Sequence, residues 1–510
     1  MIAKKWFQLS FPILLILLFA FNSHTQNAFV EYQIDQYIKQ GMEAWKVPAL
    51  AVAIVKDGKV VKMQGYGSKS ITANTPVDEN THFFIASNTK LFTGLALANL
   101  EAQGKLKLND PIRKYYPDYK LWNERDAQMV TIRDMLSHRI GLKSLQGDLT
   151  FWNTKLNSKE IMERMRLLEP SGVFRQDYGY CNSCFMTAGE VIPAVTGRTW
   201  AQYVQDSIIN VIGMSGSFAA SNNIESFSKN LAIPYTTSYT GTLRRVPYDQ
   251  WDNMGAAASI VSNIKDLAKW LQFQLDSGKV NGKQIIPFSA LDKTRQINIV
   301  TSSRKHSFLP MHIRGYGLGL YNGDYAGKQI FWHTGGAAGM VSNVCFVPEE
   351  NLGIAILSTN DNQSFFEALR YQILDSYLDV PYQDRSKFLL ENFIKNEEKT
   401  LQEIEAWKST ARAFTEKIDL NPYTGNYTNP VYGKINIAQK ANALEISFPL
   451  NPGMTASLLP IDNEKWLIEY SNIEYGIFST NFKYENGKLA GFILPVNPFV
   501  EGESYFFEKE

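Results

Sequence analysis

Strand-like segments lie at both ends of the long N-terminal part of the chain, with helix-like segments between them. Near the start, the stretch from Ala49 to Tyr66 has a strand-like pattern on both sides of Asp57-Gly58. This dipeptide favours a tight turn and predicts a hairpin. Strands return late as short, β-rich segments separated by Gly, Asn or Pro; these are Tyr316 to Tyr321, Gln329 to Trp332, Ser342 to Val347 and Gly353 to Ser358. We therefore expect an α/β or α+β domain whose sheet is assembled from both ends, with helices between them.

The predicted secondary structure changes twice in the C-terminal part of the sequence. Residues 386–414 are helical in pattern and charged, and they contain no Gly or Pro, which is typical of a linker helix. From Pro422 onward, short strands alternate with turns such as Glu485-Asn486-Gly487. This pattern predicts a small antiparallel β-barrel or sandwich.

The first residues have the pattern of a secretory signal. Lys4 and Lys5 precede an apolar run from Phe11 to Phe21, and polar residues follow it. The run is shorter than the roughly 20 residues of a membrane-spanning helix. We expect cleavage after about Thr25 and export to the periplasm or the medium, without a transmembrane anchor; an uncleaved short anchor is the alternative. The predicted divisions are a signal at 1–25, a catalytic domain at 26–385, a linker helix at 386–414 and a barrel at 415–510.

Composition argues against several other classes of protein. The 51 Lys and Arg residues balance 50 Asp and Glu residues, whereas nucleic-acid binding requires a basic surface. Three cysteines are too few for a disulfide framework. Cys181 and Cys184 have C-x-x-C spacing, but we favour a small buried thiol at Cys181 over a redox pair. The histidines are scattered, so no metal or other cofactor is expected, and the expected partner is a small-molecule or peptide substrate. The oligomeric state stays open.

A hydroxyl and an amine are placed one helical turn apart by Ser87-Asn88-Thr89-Lys90, at the start of a helix predicted over Ser87 to Gln103. A serine needs a base to become a nucleophile, and a desolvated lysine can act as that base. The N–H groups at a helix N-terminus also favour the oxyanion that follows attack on a carbonyl. The same spacing begins at Ser226, Ser262 and Ser302, so by itself it equally fits a helix cap beside a solvated lysine.

Two further motifs follow Ser87-x-x-Lys90 in order: Tyr180-Cys181-Asn182 before an apolar helix, and Trp332-His333-Thr334-Gly335-Gly336 on a strand. Together they resemble the serine β-lactamase and penicillin-binding protein superfamily, and most closely its class C branch with esterase and D-aminopeptidase relatives. The segments from Thr131 to Leu142 and from Gly255 to Leu271 support this resemblance, which covers Ile34 to Leu378.

The resemblance implies a β-lactamase/transpeptidase-like domain, in which an antiparallel sheet is flanked by helices and a helical subdomain. The C-terminal segment that opens with Tyr423-Thr424-Gly425-Asn426-Tyr427 resembles a small lipocalin-like barrel that many class C relatives carry. No cofactor is implied.

The resemblance also implies a role for each motif residue. Ser87 would be the acylated nucleophile, with Lys90 and Tyr180 sharing the base and proton-shuttle work. The other implied contacts are Asn182 on the substrate amide, the N–H groups of Ser87 and Gly336 in the oxyanion hole, and His333 with Thr334 along the acyl chain. As a base, Tyr180 would need a depressed pKa, which the Lys90 ammonium could supply. We expect His138 to be structural.

His333 stands where many members of this superfamily have lysine. Histidine titrates near pH 6.5, so a substrate carboxylate would find no fixed positive charge there. We therefore expect an exported serine hydrolase that acts through an acyl-enzyme on ester or D-amino-acid peptide and amide substrates. The alternatives are a class C-type β-lactamase or D,D-peptidase, and a catalytically silent protein that binds cell-wall peptides.

Overall fold

Eight antiparallel strands form the main sheet of the computed structural model, which describes residues 28–510; the predicted signal lies outside the described residues. The strands are β1 (Ala49–Lys56), β2 (Lys59–Gly67), β3 (Ile299–Ser302), β4 (Arg314–Tyr316), β5 (Tyr321–Tyr325), β6 (Lys328–Ala337), β7 (Met340–Val347) and β8 (Leu352–Thr359). Their order is β2-β1-β8-β7-β6-β5-β4-β3. Strand β1 pairs with β8, so the prediction of one sheet built from both ends is confirmed.

The predicted hairpin joins β1 to β2 through Asp57 and Gly58. Both residues have positive φ, 52° and 76°, as a two-residue type I′ turn requires. The strand predicted over Tyr316–Tyr321 is wrong, because β4 ends at Tyr316 and β5 begins at Tyr321. The intervening Gly319 has φ 101°, and a Cβ there would lie 2.2 Å from the carbonyl oxygen of Lys90, so the chain turns here against the backbone of Lys90.

Helices cover both faces of the sheet. They are α1 (Ile34–Ala44), α2 (Thr89–Ala102), α3 (Glu124–Met129), α4 (Ile132–Leu136), α5 (Ser158–Met165), α6 (Asn182–Thr196), α7 (Trp200–Val204), α8 (Asn210–Ile212), α9 (Ile224–Phe227), α10 (Gly255–Ala258), α11 (Ile264–Leu275), α12 (Phe288–Arg295), α13 (Phe365–Tyr377) and α14 (Arg385–Ala413). In β1, Ala51 and Ala53 belong to the core that contains α2 and α11, whereas Val52 and Ile54 belong to the core of α1 and α13. Side chains of a strand alternate between faces, so β1 is apolar from Ala49 to Val55 because both of its faces are covered.

The C-terminal strands close into a barrel of eight antiparallel strands. They are β9 (Gly425–Asn429), β10 (Gly433–Lys440), β11 (Ala443–Ser447), β12 (Thr455–Pro460), β13 (Lys465–Tyr470), β14 (Ile477–Glu485), β15 (Lys488–Leu494) and β16 (Tyr505–Lys509). Pairing of β9 with β16 closes the barrel, and helix α14 occupies the segment before it. Among the helices of residues 28–510, none combines the length and apolarity that crossing a bilayer demands.

Candidate active site

A strained turn presents Ser87 at the N-terminal end of α2. The short strand Phe83–Phe84 leads into a 3₁₀ turn over Ala86–Asn88, and Ala86 has φ 45°, which is unusual for a residue with a side chain. The Ser342 hydroxyl on β7 donates to the carbonyl of Ile85 at 2.6 Å and accepts from the Asn88 amide at 2.8 Å. These bonds tie the turn to the sheet, so the α-helix begins at Thr89 and not at Ser87.

Lys90 is fully buried, and its amine contacts three oxygen atoms. Its Nζ lies 3.0 Å from Ser87 Oγ, 2.6 Å from Asn182 Oδ1 and 3.0 Å from the carbonyl oxygen of Ala257. Burial lowers the pKa of Lys90 to about 7, although the Asp148 carboxyl opposes this shift. Since the amide and carbonyl oxygens can only accept hydrogen bonds, a neutral Lys90 directs its lone pair at the Ser87 hydroxyl. That is the geometry of a general base.

Asn182 connects Lys90 to a buried carboxyl group. Its Oδ1 accepts from Lys90, while its Nδ2 donates to Asp148 Oδ2 at 2.6 Å. Burial raises the pKa of Asp148 well above its usual value, and repulsion from Glu501 adds to this effect. Asn182 lines the cleft, but both ends of its amide group have protein partners, so here it orients Lys90. The expected contact with a substrate amide stays a prediction.

Glu501 comes from the barrel and fixes the backbone around Asp148. Its two carboxyl oxygens accept from the N–H groups of Gly147 at 3.1 Å and Leu149 at 3.0 Å, the two neighbours of Asp148, and also from the N–H group of Glu503 at 2.9 Å. Burial raises the pKa of Glu501 to about 7. Sequence analysis missed Asp148 and Glu501, because neither belongs to a local motif.

Tyr180 lies beside both Lys90 and Ser87. Nζ of Lys90 is 4.8 Å from the centre of the Tyr180 ring. Burial raises the pKa of Tyr180 well above 10, and a hydrogen bond with the Ser87 side chain only partly opposes this. The expectation of a depressed tyrosine pKa is therefore wrong: removal of water outweighs the nearby amine. Tyr180 therefore keeps its proton at neutral pH and can act as a proton donor.

His138 packs under Tyr180, with ring centres 4.3 Å apart. Its Nδ1 accepts from the backbone N–H of Cys181 at 2.9 Å, and burial holds its pKa well below 6.5. A neutral imidazole therefore supports the segment that carries Tyr180. This is the structural placement expected for His138.

His333 is buried on β6, and its two ring nitrogens are occupied. Nδ1 lies 2.7 Å from the carbonyl oxygen of Thr334, which can only accept, so Nδ1 carries the proton. Nε2 then accepts from the Tyr316 hydroxyl at 2.9 Å. Burial, followed by repulsion from Lys90, lowers the pKa of His333 to about 3. The imidazole is neutral at every physiological pH.

The two glycines after Thr334 face different neighbours. A Cβ at Gly335 would lie 2.0 Å from the carbonyl oxygen of Ile85, and one at Gly336 would lie 2.4 Å from the ring of Phe499. Gly335 thus lets β6 approach the Ser87 turn, and Gly336 leaves room for a ring from the barrel. Thr334 is held through its hydroxyl, which accepts from the Asn343 amide at 2.9 Å.

Cys181 and Cys184 are joined by a disulfide bond at the start of α6. The expectation of a free buried thiol at Cys181 is therefore wrong. The first turn of the helix brings the two Cα atoms to 5.3 Å, which is within the usual range for a disulfide. Asn182 lies between the two bonded cysteines in the sequence.

A cleft of about 470 Å³ opens over these residues. Of the predicted site residues, Ser87, Tyr180, Asn182, His333, Thr334 and Gly336 line it, and Lys90 lies behind Ser87. The cleft also has aromatic walls that sequence analysis did not identify, formed by Trp152, Trp251, Tyr321, Phe366 and Phe499. The arrangement places a hydroxyl, a buried amine and a phenol around one space. These groups can supply the nucleophile, the base and the acid of an acyl transfer.

Comparison with known proteins agrees with this architecture. Residues 34–378 match the model of the Beta-lactamase family. "Unguisins hydrolase ungD'" of Aspergillus campestris (strain IBT 28561) is 27% identical over 434 residues, 80% of this chain and 78% of that protein. "Protein flp" of Staphylococcus aureus (strain COL) is 26% identical over 358 residues, 68% of this chain and 67% of that protein.

The structure of the octameric penicillin-binding protein homologue from Pyrococcus abyssi has the same fold. It superposes with a TM-score of 0.59 over 93% of this chain and 99% of that chain, at 20% identity. The family match extends over the sheet, the helical subdomain and all three motifs, which the fold gathers at one cleft. The chain therefore belongs to the Beta-lactamase family.

Proposed function

We propose that the protein is an exported serine hydrolase that forms an acyl-enzyme on Ser87 and acts on ester or D-amino-acid peptide and amide substrates. One observation carries the proposal: the Ser87 hydroxyl lies 3.0 Å from an amine whose pKa burial lowers to about 7. A base with a pKa near the working pH is the most effective one. The name of the relative from Aspergillus campestris, a hydrolase of unguisins, is consistent with this activity.

Acylation begins when Ser87 Oγ bonds to the substrate carbonyl carbon and its proton moves to Lys90 Nζ. The bond to the leaving group then breaks, and the leaving oxygen or nitrogen takes the proton of the Tyr180 hydroxyl, which Lys90 replenishes. A water molecule then bonds to the acyl carbon and gives its proton to Lys90 Nζ. The ester bond to Ser87 Oγ breaks, and Oγ takes that proton back from Lys90 Nζ, which releases the acid product and restores the starting state. The N–H groups of Ser87 and Gly336 are assigned to the oxyanion.

The substrate class follows from the charge of the cleft. His333 is neutral, with both ring nitrogens bound to protein, and Asp361 lines the same cleft. A substrate carboxylate would meet a neutral ring and an acidic residue. This favours esters and amides over the carboxylated substrates of β-lactamases and D,D-peptidases.

Labelling tests the nucleophile. A fluorophosphonate followed by peptide mapping should modify Ser87, and Ser87→Ala should abolish both labelling and turnover while the circular dichroism spectrum is unchanged. Ser262→Ala is the matched control, since this residue also begins a Ser-x-x-Lys sequence but bonds to Ser217 at 2.8 Å. Equal turnover by native protein and Ser87→Ala would overturn the proposal in favour of a silent binding protein.

Much faster turnover of nitrocefin than of esters and D-alanyl peptides would identify a β-lactamase instead.

A further inference from the structure

An exposed aromatic ring from the barrel lies in the active-site cleft. Phe499 is 41% exposed to solvent and lines the cleft together with Ser87. Its ring occupies the space beside Gly336, where a Cβ would lie 2.4 Å from the ring. An aromatic ring held open to water at a reaction site gains hydrophobic stabilisation only when something covers it.

The backbone on both sides of Phe499 is anchored. Its N–H donates to Asn497 Oδ1 at 3.1 Å, and the Asn497 amide donates to the carbonyl of Glu474 at 2.8 Å. After it, Val500 is fully buried, the Glu501 side chain accepts from three backbone N–H groups, and Gly502 donates to the carbonyl of Leu145 at 3.0 Å. The ring is therefore presented by an anchored backbone, and a ligand that contacts it does not have to order this segment.

Phe499 extends an aromatic wall of the catalytic domain. Its ring meets Trp152 edge to face at 5.6 Å, and Trp152 meets Trp251 in the same manner at 5.1 Å. All three residues line the cleft. The wall begins at Gly336, on the strand along which the acyl group is proposed to lie.

We propose that Phe499 is a specificity-determining residue: it forms, with Trp152, the subsite for an aromatic or bulky apolar acyl group. The barrel thereby completes the active site and selects the substrate. This inference rests on the proposed acyl-enzyme function, and it adds the chemical class of the acyl group to it.

Esters that share a leaving group test the subsite. We compare p-nitrophenyl phenylacetate with p-nitrophenyl acetate for native protein, Phe499→Ala and Phe499→Leu. Loss of the ring should lower kcat/KM for the phenylacetate by about tenfold or more and change that for the acetate by less than about twofold. Leucine should give an intermediate ratio, because it keeps apolar surface without the flat ring. Phe506→Ala is the matched control: this phenylalanine of the barrel is 39% exposed and belongs to β16.

The outcomes separate this inference from the proposed function. Equal effects on both esters, or no effect on either, would overturn the role of Phe499 as long as fluorophosphonate still labels Ser87. A native protein that neither takes the label nor hydrolyses esters would overturn the acyl-enzyme itself. If Phe499→Ala does not fold, Phe499→Leu decides: an unchanged ratio of the two kcat/KM values would overturn the subsite.

Discussion

At the residue scale, the active site depends on one buried lysine whose charge the protein suppresses. The amine of Lys90 has three oxygen neighbours and no access to water, and burial also raises the pKa of Asp148, which Asn182 links to this amine. Burial therefore disfavours the charged form of both groups, because it lowers the pKa of the amine and raises the pKa of the carboxyl group. The Asn182 amide links the two groups, since its Oδ1 accepts from Lys90 and its Nδ2 donates to Asp148.

The pKa of Lys90 predicts the acid limb of the pH profile. Below pH 7 the amine is protonated and cannot accept the Ser87 proton, so kcat/KM for p-nitrophenyl acetate should fall as pH falls, with an apparent pKa of about 7. Lys90→Met should lower kcat/KM by about 10²-fold or more, because general-base help of this size is lost. Lys105→Met, at an exposed lysine beyond the end of α2, is the control. A profile that stays flat down to pH 5 would contradict the assignment.

Substrates with different leaving groups test whether Tyr180 acts as the proton donor. Because Tyr180 keeps its proton, Tyr180→Phe removes a donor, and departure of a poor leaving group should suffer most. We expect kcat/KM to fall by about 10²-fold for an alkyl ester or anilide and by less than tenfold for a p-nitrophenyl ester. Tyr178→Phe is the control, since this hydroxyl bonds to Tyr321 at 2.8 Å. Equal losses with both leaving groups would instead assign Tyr180 to positioning of Ser87.

At the scale of elements, the site lies where the start of α2 meets strands β6 and β7. The Ser342 hydroxyl bonds the turn before the helix, and Gly335 lets β6 touch the same turn. Ser87, the proposed nucleophile, is therefore positioned by the sheet, and the helix only supplies the lysine one turn later. Such positioning matters because an error of about 1 Å can lower a rate by 10²-fold.

Gly335→Ala tests this contact. The new methyl group would lie 2.0 Å from the Ile85 carbonyl, a backbone atom that cannot move without shifting Ser87. We expect kcat/KM to fall by about 10²-fold and the melting temperature to drop. Gly353→Ala on β8 is the matched control, since its methyl group would meet Leu271 side-chain atoms at 3.0 Å or more. Native activity in Gly335→Ala would show that β6 does not position the nucleophile.

Local patterns predicted some elements, and contacts between distant segments produced the rest. The Asp57-Gly58 turn and the Ser87–Lys90 pair are short-range features that neighbouring residues specify. The strands β9 and β16, in contrast, have polar residues such as Asn426, and they are stabilised by pairing with each other across the whole barrel sequence. Asp148 and Glu501 are likewise brought together only by the docked barrel, and no periodicity or motif signals such a pair.

At the scale of the whole molecule, the barrel and the catalytic domain share one core. Apolar side chains of both, including Leu149, Trp152, Tyr475 and Val500, belong to the same buried cluster. The Trp152 carbonyl accepts from Asn451 at 2.8 Å and from Tyr475 at 3.0 Å, both in the barrel. The barrel is thus a structural part of the wall that carries Trp152.

Buried carboxyl groups at this boundary make stability depend on pH. Glu501 has a pKa of about 7 in the folded protein, against 4.5 in an unfolded chain. Between these values the folded state holds a proton that the unfolded state has lost, so the contribution of Glu501 is fully present below pH 4.5 and disappears as pH rises through 7. The difference corresponds to at most about 3 kcal/mol.

Glu501→Gln removes this titration while keeping the shape of the side chain. The free energy of unfolding of the native protein, relative to that of the variant, should therefore fall by up to about 3 kcal/mol when pH rises from 4.5 to 8, as measured by urea unfolding at both pH values. Glutamine also loses at least one of the three backbone hydrogen bonds that Glu501 accepts, but that loss is the same at every pH. Glu503→Gln is the matched control, because this residue pairs with Lys143 at 3.2 Å near the surface. If the difference between native protein and Glu501→Gln does not change with pH, then Glu501 is ionised in the folded state, and its charge is already offset by the N–H groups of Gly147, Leu149 and Glu503.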